Sequence, residues 1–105
     1  MLKRTKRRYV SLKIDSDARF NSQDLIDALW SSVTKLFGEY GASRTGLTLI
    51  DHDQSRNVAI IRVSLAALEN VQATLASITK IGDTPAGIHV TTVSGTIRSL
   101  RKKAE

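Results

Sequence analysis

The chain has 105 residues, 16 Lys and Arg against 10 Asp and Glu, a formal net charge of +6 and no cysteine. That length suits one domain with one core, and the missing cysteine excludes a disulfide framework, a thiolate nucleophile and a zinc–thiolate site. No apolar run approaches the roughly 20 residues of a membrane span, and the first ten residues, MLKRTKRRYV, lack the apolar stretch of a secretion signal, so a cytoplasmic, reducing location without membrane contact is expected.

In chain order, residues 1–8 hold five cations, Lys3, Arg4, Lys6, Arg7 and Arg8, and no acid. RYVSLKID, residues 8–15, alternates Val10, Leu12 and Ile14 against Tyr9, Ser11 and Lys13, the pattern of a strand with one buried face. Asn21 or Ser22 can cap a helix with acidic Asp24 in its first turn. Leu25, Ile26, Leu29, Trp30, Val33, Leu36 and Phe37 then recur at steps of three and four, which predicts an amphipathic helix over about 22–37, ended by Gly38 and Gly41. Trp30 falls on the apolar stripe and reads as core; Glu39 and Tyr40 read as a cap and a packed aromatic.

LTLI, residues 47–50, is a second strand and DHDQSRN a turn. VAIIRVS, residues 58–64, is apolar on both faces and predicts a central strand. Ser64 can cap a second helix with Leu65, Leu68, Val71, Leu75 and Ile78 on one stripe, GDTPAG is a loop, and IHVTTV, residues 88–93, is the fourth strand. Thr96 or Ser94 can cap a short last helix beginning near Ile97, whose Ile97 and Leu100 can dock on the domain while Arg98, Arg101 and Lys102 share one side. Residues 98–105 hold four cations, Arg98, Arg101, Lys102 and Lys103, against Glu105.

The order β-α-β-β-α-β predicts an α+β, ferredoxin-like sandwich of the kind used by RNA-recognition domains: a four-stranded antiparallel sheet plus a short C-terminal helix, with residues 1–105 as one domain. Its strand order, 4-1-3-2, places the end of strand four beside the start of strand one. Residues 9–97 hold seven cations against nine acids. The protein is therefore a slightly acidic body with a basic arm (1–8) and a basic tail (94–105) that the topology gathers into one patch. With a pI near 10.1, that is the electrostatic signature of a nucleic-acid binder. Free amides at the start of the last helix add a phosphate site, and Gly95 leaves the backbone uncovered there. The same tail also fits a plain C-terminal helix whose cations favour its negative end.

Other constellations are weaker. Asp51, His52 and Asp53 have donor types for a metal but read as a turn, and His89 reads as structural. The sequence has no P-loop, nucleophile elbow, HExxH or paired-carboxylate pattern. Aromatics for base stacking on the central strands are confined to Tyr9, which argues against readout of single-stranded bases.

VSGTIRSLRKK (93–103), LWSSVTKLFGEYGAS (29–43) and RRYV (7–10) together resemble signatures of the ribonuclease P protein component 2 family, in order and over essentially the whole chain. One departure is Val63, where relatives often have cysteine. The resemblance implies an RNA-recognition-like fold and a non-catalytic role in the particle that removes the 5′ leader from precursor tRNA. There the RNA and its magnesium ions do the chemistry, and the protein itself holds no cofactor. It also implies two partners, ribonuclease P RNA and ribonuclease P protein component 3, with indirect contact to precursor tRNA and self-association left open. On this chain, Ser94, Gly95, Thr96 and Arg98 match the C-terminal signature, and Arg7, Arg8 and Tyr9 the N-terminal one. The expected RNA-binding set is Lys3, Arg4, Lys6, Arg7, Arg8, Ser94, Gly95, Thr96, Arg98, Arg101, Lys102 and Lys103. The alternatives from residues alone are another structured-RNA or ribosome-associated binder, or a ferredoxin-like regulatory domain taking a small ligand near GDTPAG.

Overall fold

The structure, a computed structural model, describes residues 6–104, with side chains up to residue 100. Chain order is β1 (Arg7–Asp15), α1 (Ser22–Ser43), β2 (Thr48–Asp53), β3 (Val58–Ser64), a 3₁₀ turn (Leu65–Ala67), α2 (Leu68–Ala76), β4 (Lys80–Ile81), β5 (Thr84–Pro85), β6 (Gly87–Ser94) and α3 (Ile97–Ala104). The main sheet runs β2-β3-β1-β6 with every neighbouring pair antiparallel. This is the predicted order, with β6 as its fourth strand.

The alternation in β1 does what its sequence requires. Val10, Leu12 and Ile14 are buried, and they join Ala59, Ile61 and Val63 of β3 under α1 and α2. Asn21 caps α1 by accepting from the Asp24 amide at 2.7 Å, and Leu25, Leu29 and Val33 carry its buried stripe. Trp30 and Phe37 are half-buried against the same core.

Three local expectations need correction. Helical structure does not finish at Phe37: Gly38, at φ 74°, kinks the chain, and a second helical stretch continues to Ser43. A left-handed glycine stops one helix without preventing the next, and buried Ala42 docks the continuation. Ser64 makes no side-chain cap; it is buried, and its amide donates to the Thr45 carbonyl at 2.8 Å. The neighbouring Leu65 amide donates to the Lys6 carbonyl at 2.8 Å. The chain leaves β3 still tied to the start of β1, so α2 begins only at Leu68 and Leu65 stays outside the buried stripe. Finally, GDTPAG is not all loop. Gly82, at φ 61°, and Asp83 turn a small hairpin in which Lys80 pairs with Pro85 and Ile81 with Thr84. Proline is tolerated there because this two-stranded ladder is all edge.

The second face of the sheet has a different cover. α3 packs on β6 and β1, and Leu100 is fully buried yet lies outside the main core cluster. Ser11, on the same side as Tyr9 and Lys13, is buried too. The last helix, expected to dock through Ile97 and Leu100, does so through Leu100, with Ile97 half-buried.

Candidate nucleic-acid interface

The two ends of the described chain meet. Tyr9 pairs with Ser94 and Val10 with Val93, so β6 ends where β1 begins. The Arg8 guanidinium lies against the next residue: a Cβ on Gly95 would stand 3.8 Å from Arg8 Nη1. That group is steadied by donating to the Arg7 carbonyl at 3.0 Å, and the Lys6 carbonyl is fixed by the Leu65 amide. Backbone bonds thus hold the last residues of the basic arm on the body of the protein.

The turn into α3 is built from its own hydroxyls. Ser94 Oγ accepts from the Thr96 amide at 3.4 Å, and Thr96 Oγ1 accepts from the Ser99 amide at 3.2 Å. The first helical bond runs from the Leu100 amide to the Thr96 carbonyl at 3.1 Å. Thr96 is therefore the cap, and the amides of Ile97 and Arg98 precede the first intrahelical donor, the Leu100 amide. Lys6, Arg7, Gly95, Thr96 and Arg98 are exposed, Arg8 is half-buried, and Ser94 is buried and shapes the turn from within. Lys3 and Arg4, and the side chains of Arg101, Lys102 and Lys103, lie outside the described residues. Among the described residues, Lys6, Arg7, Arg8 and Arg98 have no carboxylate partner; the contact of His89 Nε2 with the Asp15 carboxylate, at 3.7 Å, is beside the opposite end of β1.

One residue at this end was not singled out from sequence. Register places Arg62 of β3 opposite Tyr9, and Tyr9 opposite Ser94. Alternation in β3 turns Val58, Ile60 and Arg62 away from buried Ala59, Ile61 and Val63. Arg62 is half-buried there, and its Nε is buried without a hydrogen-bond partner among the described residues. The alternation was legible in VAIIRVS, but the pairing across to Tyr9 was not.

The remaining constellations separate. His52 Nδ1 shares a hydrogen bond with Ser22 Oγ at the start of α1, at 3.0 Å. Asp53 accepts from the Ser55 hydroxyl at 2.7 Å and from the Ser55 and Arg56 amides. The Ser55 hydroxyl first, and then the two amides and the Arg56 charge, hold its carboxyl below the usual carboxylate value against an opposing desolvation. Among the described residues no three His, Asp or Glu side chains gather as metal ligands. Tyr40 is not a packed aromatic: it is 76% exposed, with the Arg44 guanidinium 5.6 Å from its ring centre. An open groove of about 770 Å³ runs between α1 and the α2–β4 segment, past Asp27, Lys35, Ile78 and Lys80. Among the described residues no helix is long and apolar enough to cross a membrane.

Comparison with known proteins agrees with this architecture. The sequence model of the Rpp14/Pop5 family matches residues 8–105. The protein named ribonuclease P protein component 2 in Pyrococcus furiosus is 32% identical over 100 residues, an alignment spanning 95% of this chain and 83% of that one. Its namesake in Halorubrum lacusprofundi is 30% identical over 91% of this chain, which spans 63% of that longer relative. A chain in the cryo-EM structure of yeast ribonuclease MRP superposes with a TM-score of 0.74, covering 99% of this chain and 92% of that one at 14% identity, a likeness of fold. Matched by its sequence over residues 8–105, this chain belongs to the Rpp14/Pop5 family.

Proposed function

We propose that this chain is an RNA-binding protein subunit of ribonuclease P that supports the catalytic RNA in removing the 5′ leader from precursor tRNA. Family membership supports the assignment, and one observation carries the mechanism: β1 and β6 join Arg7, Arg8, Gly95, Thr96 and Arg98 at one end of the sheet. A folded RNA crowds its phosphates, and their repulsion opposes the compact active shape. Cations on a fixed scaffold neutralise them and release counterions, so less magnesium is needed to hold the RNA compact. The first amides of α3 add donors at the helix's positive end. In this role the protein positions and the RNA, with the magnesium it holds, does the chemistry.

Ribonuclease P protein component 3 is the proposed protein partner, precursor tRNA is met through the assembled particle, and the location is cytoplasmic. Reconstitution tests the whole. The chain is added to ribonuclease P RNA at limiting magnesium, with and without component 3, and leader removal is followed. The chain should raise the rate, and the Arg7→Glu, Arg98→Glu double variant should do so far less. Equal stimulation by parent and variant removes the electrostatic mechanism. A chain stabilised by small metabolites and indifferent to RNA points instead to the groove between α1 and β4.

A further inference from the structure

Arg62 poses a physical problem that the described residues do not solve. It occupies the central strand pair of the sheet, where β3 lies between β2 and β1. Its guanidinium remains charged at any physiological pH, and a buried donor without a partner costs free energy. Yet Nε is buried and unpartnered, and among the described residues no carboxylate pairs with the side chain. Its cross-strand neighbours are Thr48 on β2 and Tyr9 on β1. Asp51, the acid on this face of β2, sits one pair further along, opposite Ile60. Arg7, two residues before Tyr9 on the same face of β1, is its diagonal neighbour, since Arg7 opposes Ser64. The face around Tyr9 is therefore cationic on two sides.

We propose that Arg62 and Tyr9 form a nucleotide-binding site on this face of the sheet, in which Arg62 holds an RNA phosphate and Tyr9 stacks on the adjacent base. The planar guanidinium offers paired N–H donors that match a phosphate's oxygens; Nε is buried, and the outer Nη groups, which are not among the buried unpartnered atoms, are the ones an arriving anion meets. Tyr9 is half-buried and stands between the cations Arg62 and Arg7 on this face, far along the strand from the His89 ring. From Ser94 to Arg62 is two strand spacings, about 10 Å, so one RNA segment leaving the start of α3 passes Tyr9 and reaches Arg62. The site thus extends the basic patch inward across the sheet. It rests on the RNA-binding function proposed above, and it deepens it by adding one base contact to a surface otherwise made of phosphate contacts.

The test uses the full chain and ribonuclease P RNA, with affinity measured over a range of salt. Arg62→Gln should weaken binding about tenfold to a hundredfold and reduce the log–log salt slope by roughly 0.7 to 0.9, one phosphate's worth. Tyr9→Leu should weaken binding by at least fivefold with the slope unchanged, because stacking releases no counterion. Should Arg62→Gln fail to fold, the parent protein answers the same question: RNA should shield Arg62 from an arginine-modifying dicarbonyl reagent, read by mass spectrometry. Arg62 that reacts equally with and without RNA, or in neither state, overturns the proposal, as does Arg62→Gln binding with parental affinity and slope. If Arg98→Glu weakens binding while the Arg62 and Tyr9 variants do not, this site fails and the RNA-binding function stands. If none of the three weakens binding, both fail.

Discussion

The two faces of the main sheet are built to different ends. Under α1 and α2, β1 and β3 present Val10, Leu12, Ile14, Ala59, Ile61 and Val63, all buried, in one continuous cluster. The other face carries Tyr9, Ser11, Lys13, Arg62 and Thr92, with α3 covering part of it through Leu100. Apolar burial stabilises by about 25 cal/mol per Å² removed from water, so the first face supplies most of the stability. The second trades that for groups with unfilled bonding capacity. Stability and binding are thus divided by the pleat of single strands, residue by residue.

Substitutions on the two faces should separate cleanly. Leu29→Ala, beneath α1, should cost about 2–5 kcal/mol in chemical denaturation. Leu100→Ala removes an equally buried side chain from the other face. It should cost less in stability, because only the eight residues of α3 depend on it, but it should weaken RNA binding strongly, since an undocked helix of that length is marginal. Loss of stability equal to that of Leu29→Ala, with RNA affinity retained, would merge the two faces into one structural core.

Charge reversal should show the converse. Arg98→Glu leaves no buried group unpaired, because Arg98 is exposed, so the melting curve should hold while the salt slope of RNA binding flattens by roughly 0.7 or more. Thr96→Ala is intermediate: the lost cap should cost about 1 kcal/mol of helix stability, visible as faster amide exchange at Ser99 and Leu100, with a modest loss of affinity.

The smallest expected effect lies far from the basic end. Asp53 has its carboxyl held below the usual value by the β2–β3 turn it caps. A depressed carboxylate contributes stability above its unfolded pKa, near 3.8, and that contribution is lost as pH falls through the lower folded pKa. Parent and Asp53→Asn should differ slightly in urea midpoint at about pH 5 and converge near about pH 2. A gap that widens on acidification would reverse the sign.

How far this division could be read from the chain depends on the range of the forces involved. Val10-Leu12-Ile14 and the Leu25-Leu29-Val33 stripe announce their elements because period and burial agree within a few residues. Thr96 was legible as a cap for the same reason. Gly38 and Gly41 signal a stop because glycine is the common residue after a helix end; the continuation depends on Ala42 finding the core. Ser64 has a cap's chemistry but is committed to Thr45, and its neighbour Leu65 to Lys6, by contacts no local pattern records. Tyr40 sits in a segment of helical period and proved exposed, as is Leu36 one turn before it, ahead of the kink at Gly38. The convergence of Arg8 and Gly95 followed from topology alone. Arg62 did not, since its neighbours are set by strand register.

The central claim is that both basic ends of the chain act on RNA as one surface. With no native cysteine, single cysteines at Arg7 and at Arg98 can carry a tethered iron chelate that cleaves nearby RNA. Bound to ribonuclease P RNA, the two probes should cut overlapping sets of nucleotides. Cuts in two separate regions of the RNA, or no localised cutting from either position, would contradict a shared surface.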